Sequence, residues 1–208
     1  MELLIISGTP KTSGLTCSFV LAAEEAARAE GVEFETIRLA ALGLKKCRMC
    51  GDGWGICASR HVCTHGGEDS FNAVQQKVDE ARAFVFVSPV YWGEPSEDFK
   101  IFLDKLRRCQ ASKRWSGGEA SFMQGKPSVL VAVAGGSGAG ALSALAAIER
   151  ALEQMGGNEH PRETAGVYDC IAANRWNQEQ KRDAFVRSLK GMFSASGLKA
   201  AGGGPADG

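Results

Sequence analysis

The chain has 208 residues, of which 44% are hydrophobic and 23% are charged, and its formal net charge is zero. This length suits one α/β domain with a sizeable core, and the balanced charge argues against a nucleic-acid partner. No apolar run is long enough to cross a bilayer, and the first residues lack the features of a signal peptide. We therefore expect no membrane partner and a cytoplasmic location.

The first predicted element is a strand. Leu3–Ile6 is an unbroken apolar run, which is typical of a strand that is buried on both faces. A loop rich in hydroxyl groups and glycine follows, and then an Ala-rich helix over 18–30. This order is typical of a phosphate site, because free N–H groups and the helix dipole point to one place. The loop lacks the Walker and dinucleotide spacings, and an ordinary strand-to-helix turn is the alternative.

The rest of the chain continues the alternation of strands and helices. Periodicity predicts a strand nearer a sheet edge over 32–39 and further strands over 84–87, 129–134 and 160–167. It predicts helices over 71–78, 98–108, 142–155 and 178–193. A Cys-rich insert is expected over 43–68 and a loop over 109–125. The pattern predicts a flavodoxin-like three-layer α/β sandwich with a five-stranded parallel sheet in the order 2-1-3-4-5. We expect one domain over 1–196 and a disordered tail over 197–208.

Three loops follow buried strands, at 7–16, 88–94 and 135–140. In a doubly wound sheet the carboxyl ends of the strands share one edge, so these loops are predicted to surround one ligand. In the second loop, SPVYWG, Tyr91 and Trp92 offer flat apolar surface and Gly93 allows close approach of a ring. Surface or subunit contact is the other reading of the aromatic pair. Gly135 and Gly136 in the third loop suit either ring contact or a plain turn.

Taken together, SGTPKTSGLT, SPVYWG and AGGSGAG resemble the NAD(P)H-dependent FMN reductase group of the flavodoxin-like superfamily, over residues 1–156. The resemblance implies bound FMN. The residues that it implies around the phosphate are Ser7, Thr9, Lys11, Ser13, Gly14, Leu15 and Thr16, and those around the ring are Pro89, Val90, Tyr91, Trp92 and Gly93, with Gly135 and Gly136 beside them. The family often has Arg where this chain has Lys11, which keeps the charge without the forked geometry.

By the same resemblance, the chain would be an enzyme that passes reducing equivalents from NAD(P)H through FMN to a small acceptor such as a quinone, a nitro compound or a flavin. No catalytic side chain is expected, because the flavin N5 accepts the hydride. An FMN electron carrier or a redox sensor without substantial NAD(P)H turnover is the alternative. The resemblance also implies a homo-oligomer, either a dimer or a tetramer.

The Cys-rich insert contains Cys47-x2-Cys50-x6-Cys57-x5-Cys63. It follows the second strand and is expected at the mouth that holds the flavin. The iron–sulfur flavoproteins, a branch of the same family, carry a compact cysteine cluster here that binds a [4Fe-4S] centre, whereas this chain has four extra residues, 51–54, between the second and third cysteines. Zinc, with His61 or His65 as a further ligand, and free or redox-active thiols are the alternatives. The remaining cysteines are expected to be isolated buried apolar residues: Cys17, Cys109 and Cys170.

Overall fold

A computed structural model describes residues 1–115, 124–156 and 167–198. Its strands are β1 (Leu3–Ser7), β2 (Phe34–Arg38), β3 (Ala83–Tyr91), β4 (Glu94–Pro95), β5 (Ser128–Ala134) and β6 (Val167–Asn174). Its helices are α1 (Leu15–Ala29), α2 (Cys50–Gly53), α3 (Cys57–Arg60), α4 (Phe71–Glu80), α5 (Glu97–Trp115), α6 (Ala141–Gly156) and α7 (Gln178–Ala195). A short 3-10 turn, Leu39–Ala41, follows β2.

The long strands form a parallel sheet in the order β2-β1-β3-β5-β6, which confirms the predicted flavodoxin-like order. The prediction that the strand after α1 lies at an edge is also confirmed. The two-residue strand β4 pairs antiparallel with the end of β3, where Val90 is opposite Pro95 and Tyr91 is opposite Glu94. This small hairpin turns the chain from β3 into α5 beside the carboxyl edge of the sheet.

Both faces of the sheet are buried, as the unbroken apolar strands predict. Leu4 and Ile6 point to a layer formed by α4, α5 and α6, whose inner residues include Phe102. Leu3 and Ile5 point to the opposite layer, formed by α1 and α7. Because neighbouring side chains of a strand alternate between faces, a strand covered by helices on both sides needs an apolar residue at every position.

Two elements are longer than predicted. β3 extends through Ser88 and Pro89 to Tyr91, because Ser88 pairs with Ala132 of β5 and Pro89 pairs with Val133. α5 continues to Trp115, so the predicted loop over 109–125 is wrong for residues 109–115. Polar residues in that part of α5, such as Gln110 and Ser112, looked like loop residues but are buried in the structure. Residues 116–123 lie outside the described part.

The two ends of the domain also differ from the prediction. α1 begins at Leu15, inside the predicted loop. The last strand is β6, Val167–Asn174, rather than 160–167, and residues 157–166 lie outside the described part. Leu198 is 1% exposed and its N–H donates to the carbonyl of Phe193 at 2.9 Å. Leu198 therefore packs on the end of α7, and residues 199–208 of the predicted tail lie outside the described part.

None of the helices in the described segments combines the length and the apolarity required to cross a bilayer.

Candidate functional site

A cleft of about 330 Å³ opens at the carboxyl edge of the sheet, between the loops that follow β1, β3 and β5. Its volume lies within the range of sites that hold small molecules and cofactors. The cleft is lined by Thr9, Lys11, Ser13, Gly14, Leu15, Thr16, Pro89, Val90, Tyr91, Val133 and Gly135. The prediction that these three loops share one mouth is therefore confirmed, and Val133 is a lining residue that sequence reasoning missed.

The loop after β1 is organised by short polar contacts. The N–H of Thr9 donates to Ser7 Oγ at 3.4 Å, and the N–H of Lys11 donates to Thr9 Oγ1 at 3.3 Å. The buried Cys17 thiol donates to the carbonyl of Lys11 at 3.1 Å. Gly14 has φ of 105° and, within the described residues, no side chain caps α1. The first amides of the helix therefore face the cleft end without an intrahelical acceptor, as an anion site requires.

A buried serine pair joins the first two loops. Ser96 Oγ donates to the carbonyl of Gly8 at 2.7 Å, while the N–H of Ser96 donates to Ser88 Oγ at 3.1 Å. A Cβ on Gly8 would lie 2.6 Å from Ser96 Oγ and 2.8 Å from a ring carbon of Phe99, so only glycine fits here. Sequence reasoning missed this junction. Ser96 before the acidic pair that opens α5 is the signal of a helix start that could have found it.

The loop after β3 and the loop after β5 are in contact at Gly93 and Gly140. A Cβ on Gly140 would lie 2.4 Å from the Cα of Gly93, and both residues have positive φ, 82° and 83°. Gly93 was predicted to allow close approach of a ring. In the structure it allows close approach of Gly140, which brings the loop after β5 against the loop after β3.

Four predicted residues do not line the cleft. Ser7 is fully buried beneath its loop, and Gly93 and Gly136 lie outside the lining. Trp92 is completely exposed, has a left-handed backbone with φ of 54° and is not among the lining residues. Tyr91, which lines the cleft and is 47% exposed, is the aromatic residue available to a ring.

A second, smaller cavity of about 30 Å³ lies between the Cys-rich insert and α5. The four predicted metal ligands, Cys47, Cys50, Cys57 and Cys63, all line it and are half-buried. Cys109 of α5 also lines it, which corrects the expectation that this cysteine is isolated. Of the other two, Cys17 is buried as expected and Cys170 is only half-buried.

The insert contains the short helices α2 and α3 and is held in place by side chains from α4 and α5. Asn72 forms two hydrogen bonds with the backbone of Cys63, accepting from its N–H at 3.2 Å and donating to its carbonyl at 3.0 Å. Ser112 Oγ lies 2.5 Å from the carbonyl of Cys57 and 2.8 Å from Nδ1 of His61. The helices therefore fix the backbone at the third and fourth cysteines.

A buried ion pair closes the base of the insert. Lys105 Nζ lies 2.5 Å from Asp69 Oδ2, and each side chain is 2% exposed. Asp69 also accepts hydrogen bonds from the N–H groups of Lys45, at 2.7 Å, and Phe71, at 3.2 Å. Burial alone would raise the pKa of Asp69, but these hydrogen bonds and the Lys105 charge together hold it below its ordinary value.

The walls of the cysteine cavity are strongly positive. Its lining contains five cationic and two acidic side chains, which are Lys45, Lys46, Arg48, Lys105 and Arg108 against Glu68 and Asp69. Burial raises the pKa of the Cys63 thiol, and the His65 N–H and Lys105 oppose that effect. A set of neutral thiols needs no such surplus, whereas thiolates bound to a metal carry net negative charge that nearby cations stabilise.

Within the described residues, no three His, Cys, Asp or Glu side chains are placed as ligands of a single metal ion. His61 is bonded to Ser112, and His65 to Glu68, at 2.8 Å in both cases. In a [4Fe-4S] centre each thiolate binds a different iron, so its ligands lie farther apart than those of one ion. Five cysteines and one histidine, His65, line this cavity.

The two cavities are separate, and no residue lines both of them. The cysteine cavity lies against Lys105, Arg108 and Cys109, and Lys105 is eight residues from the start of α5, or about 12 Å at the helical rise. The expectation that the insert lies at the mouth of the flavin site stays a prediction. The insert is placed beside the flank of α5 because α4 and α5 supply its hydrogen-bond partners.

The sheet order and a cleft at the point where that order reverses define the class: this is a doubly wound α/β protein with a flavodoxin-like fold. Residues 1–165 match the family model described as NADPH-dependent FMN reductase, and the chain belongs to that family. An iron–sulfur flavoprotein of Methanocaldococcus jannaschii is 33% identical over 107 residues, which are 51% of this chain and 52% of the relative. The chain spans about half the length of the curated relatives it matches.

Solved structures agree with the fold. The apo form of an NADH:FMN oxidoreductase has a TM-score of 0.61 and 15% identity, over 96% of this chain and 90% of that chain. An FMN-dependent NADH-azoreductase of Bacillus anthracis, in complex with FMN, has a TM-score of 0.63 and 11% identity, over 94% of this chain and 100% of that chain. At these identities the likeness establishes the fold alone.

Proposed function

We propose that the chain binds FMN in the cleft between the three strand-end loops and acts as an FMN-dependent NAD(P)H oxidoreductase. The observation that carries the proposal is the composition of this one cleft. It has the uncapped N-terminus of α1 with hydroxyl groups and Lys11 at one side, and Pro89, Val90 and Tyr91 at the other. A phosphate fits the first part, and a flat ring fits the second.

The residues of the first loop would hold the phosphate. Ser13 and the amides at Gly14, Leu15 and Thr16 supply donors at the start of α1, and Lys11 adds a positive charge. Ser7 would act through the loop, because its hydroxyl accepts from the N–H of Thr9, and Thr9 in turn accepts from the N–H of Lys11.

The residues of the second and third loops would hold the ring. Pro89, Val90 and Tyr91 present apolar surface to the cleft, and Gly135 leaves space above the end of β5. The contact between Gly93 and Gly140 would fix the separation of the two loops, which is a positioning role. Trp92 and Gly136 would bound the open side, where substrate enters.

FMN held by these residues would supply the hydride and electron-transfer chemistry that links a nicotinamide to an acceptor. The open mouth beside Tyr91 and the exposed Trp92 would admit NAD(P)H and a small acceptor in turn. Quinones, nitro compounds and free flavins are the acceptor classes we propose. One protein with a similar fold is an NAD(P)H:quinone oxidoreductase of Methanothermobacter marburgensis.

We further propose a [4Fe-4S] centre in the cysteine cavity, with ligands among Cys47, Cys50, Cys57 and Cys63. Support comes from the convergence of these residues on one cavity, from its cationic walls, and from relatives named as iron–sulfur flavoproteins. The same centre supports the second candidate function, an electron carrier or redox sensor, because a cluster exchanges single electrons. A homodimer or homotetramer in the cytoplasm completes the proposal.

The experiment has two steps. Anaerobically purified protein is stripped of flavin and titrated with FMN, and the loaded protein is then supplied with NADH or NADPH and a panel of quinones, nitro compounds and flavins. We expect saturable FMN binding and steady oxidation of a nicotinamide with at least one acceptor. A protein that binds no FMN contradicts the whole proposal, and one that binds FMN without nicotinamide turnover is the carrier or sensor instead.

A further inference from the structure

A further cavity, of about 320 Å³, lies in the groove between α5 and α6. It shares no lining residue with the flavin cleft or with the cysteine cavity. Ala147 and Ala151 are one turn apart on α6 and line this groove, so that small side chains leave space beside α5. The cavity has the volume of a small-molecule site, and the proposed function gives it no ligand.

The lining of this cavity contains two arginines that have no partner. Lys100 Nζ lies 3.7 Å from Glu94 Oε2, so the charges of these two lining residues offset each other. In the part of the chain that the structure describes, the guanidinium groups of Arg107 and Arg150 form no ion pair and no hydrogen bond. Arginine presents several N–H donors in a planar fork and keeps its charge, so two of them at one cavity suit a phosphate. The carboxylate of Asp104, which also lines the cavity, opposes an anion there.

The arginine cavity lies on the far side of the hairpin that borders the flavin cleft. Pro95 of β4 lines the arginine cavity and pairs with Val90 of β3, which lines the cleft. Paired strands lie about 4.8 Å apart, so only the width of this hairpin separates the two spaces at that point. Trp92, which is fully exposed, and Gly93 form the turn between the two strands. A ligand that crosses this turn can therefore occupy the cleft and the arginine cavity together.

We propose that the arginine cavity binds a phosphomonoester dianion through Arg107 and Arg150, and that the 2′-phosphate of NADPH is the source of this dianion. The second part rests on the proposed function, because the nicotinamide would have to reach FMN beside Tyr91. NADPH carries the 2′-phosphate on its adenosine half, at the opposite end of the molecule from the nicotinamide. NADH lacks this phosphate, so the two arginines would make the chain prefer NADPH.

The test measures binding rather than turnover. Protein loaded with FMN, whose phosphate loop is then occupied, is titrated calorimetrically with NADP⁺, NAD⁺ and inorganic phosphate. Arg107→Gln and Arg150→Gln remove one charge each from the cavity, and Asp104→Asn removes the opposing charge. Arg150 and Asp104 are exposed, so these two variants leave the core intact. Arg187→Gln is the matched control, because this exposed arginine belongs to α7, in the helical layer on the other face of the sheet.

We expect the wild type to bind NADP⁺ at least about tenfold more tightly than NAD⁺, and each cavity arginine variant to lose about tenfold in NADP⁺ affinity. The affinity for NAD⁺ should stay the same in every variant, and Arg187→Gln should behave as the wild type. Asp104→Asn should bind NADP⁺ more tightly than the wild type, because it removes a negative charge from the lining.

NADP⁺ affinity that responds to neither Arg107→Gln nor Arg150→Gln overturns the inference. Inorganic phosphate that binds through these arginines without a preference for NADP⁺ supports the phosphate site and overturns its assignment to NADPH. Unchanged phosphate affinity together with an altered oligomeric state of the variants overturns both parts and assigns the groove to a subunit contact. A protein that takes up no FMN contradicts the proposed function, and its titration with inorganic phosphate still tests the two arginines.

Discussion

The flavin cleft and the cysteine cavity are built in opposite ways. The cleft is formed by the ends of three buried strands, and its loops are joined by fully buried groups such as Ser88 and Ser96. The cysteine cavity is formed by an irregular insert with half-buried cysteines, held by side chains that are distant in sequence. A site built from strand ends is fixed by the core, whereas a site on an insert depends on a few individual contacts.

The largest effect is expected where one such contact is removed from the insert. Lys105→Met leaves Asp69 as a buried carboxylate without its cation, which costs about 3–5 kcal/mol in the free energy of unfolding. Urea denaturation measures it. The double variant Lys105→Met with Asp69→Asn should recover part of the loss, since it removes the uncompensated charge. Equal stability of Lys105→Met and wild type would contradict the role given to this ion pair.

The same pair predicts a pH dependence. Because the pKa of Asp69 is lowered on folding, its contribution to stability is complete above the ordinary value of 3.8 and is lost as the pH falls through the folded-state value. Wild type should therefore lose its stability advantage over Asp69→Asn as the pH falls from 3.8 through the lower folded-state pKa of Asp69. Urea denaturation at a series of pH values measures the difference. An advantage that grows with acidification would have the wrong sign.

The flavin cleft should respond most strongly at Gly8. A methyl group there meets Ser96 Oγ and the ring of Phe99, so Gly8→Ala should lower the free energy of unfolding by about 1–3 kcal/mol and weaken FMN binding. Thermal unfolding and FMN titration measure the two effects. Gly67→Ala is the matched control, because its Cβ meets nothing within 4 Å. An unchanged FMN affinity in Gly8→Ala would show that the junction does not position the loop.

A smaller effect is expected from the charge at the phosphate end. Lys11→Ala should weaken FMN binding about tenfold, equivalent to about 1.4 kcal/mol, with little change in stability because the side chain is exposed. Lys11→Arg should preserve the affinity. Lys190→Ala removes an exposed lysine of α7 and serves as the control. If Lys11→Ala and Lys190→Ala bind FMN equally well, the phosphate lies elsewhere.

The smallest effect is expected at Trp92. Its ring is fully exposed, so Trp92→Ala should change the free energy of unfolding by less than about 0.5 kcal/mol. FMN affinity should change less than in Tyr91→Ala, because Tyr91 lines the cleft. Fluorescence titration compares the two variants. Loss of FMN binding in Trp92→Ala alone would mean that Trp92, and not Tyr91, forms the aromatic wall.

The sequence predicts the cleft well because its signals are local. An unbroken apolar run such as Leu3–Ile6 indicates a strand that is buried on both faces, and the loop of small residues next to it indicates where the strand ends. The order of the strands then brings the loops together. The junction of Gly8 with Ser96 is harder to predict, because the two residues are 88 positions apart and their contact depends on the packing of α5.

The insert is hard to predict because the contacts that hold it also join residues that are distant in sequence. The spacing of its cysteines identifies a cluster of thiols, but not which helix packs beneath them. Cys109 and Ser112 have the spacing of core residues on α5, and their role appears only when the insert lies on that helix. The buried pair of Asp69 and Lys105 likewise joins two segments that no local pattern relates.

The independence of the two regions is tested most directly by one FMN titration. Protein is treated with an iron chelator under anaerobic reducing conditions, and its affinity for FMN is compared with that of the untreated protein. We predict saturable binding of FMN with nearly the same affinity in both samples, because the strand ends and the buried serine junction form the cleft without the insert. Loss of FMN binding together with the metal would contradict this account.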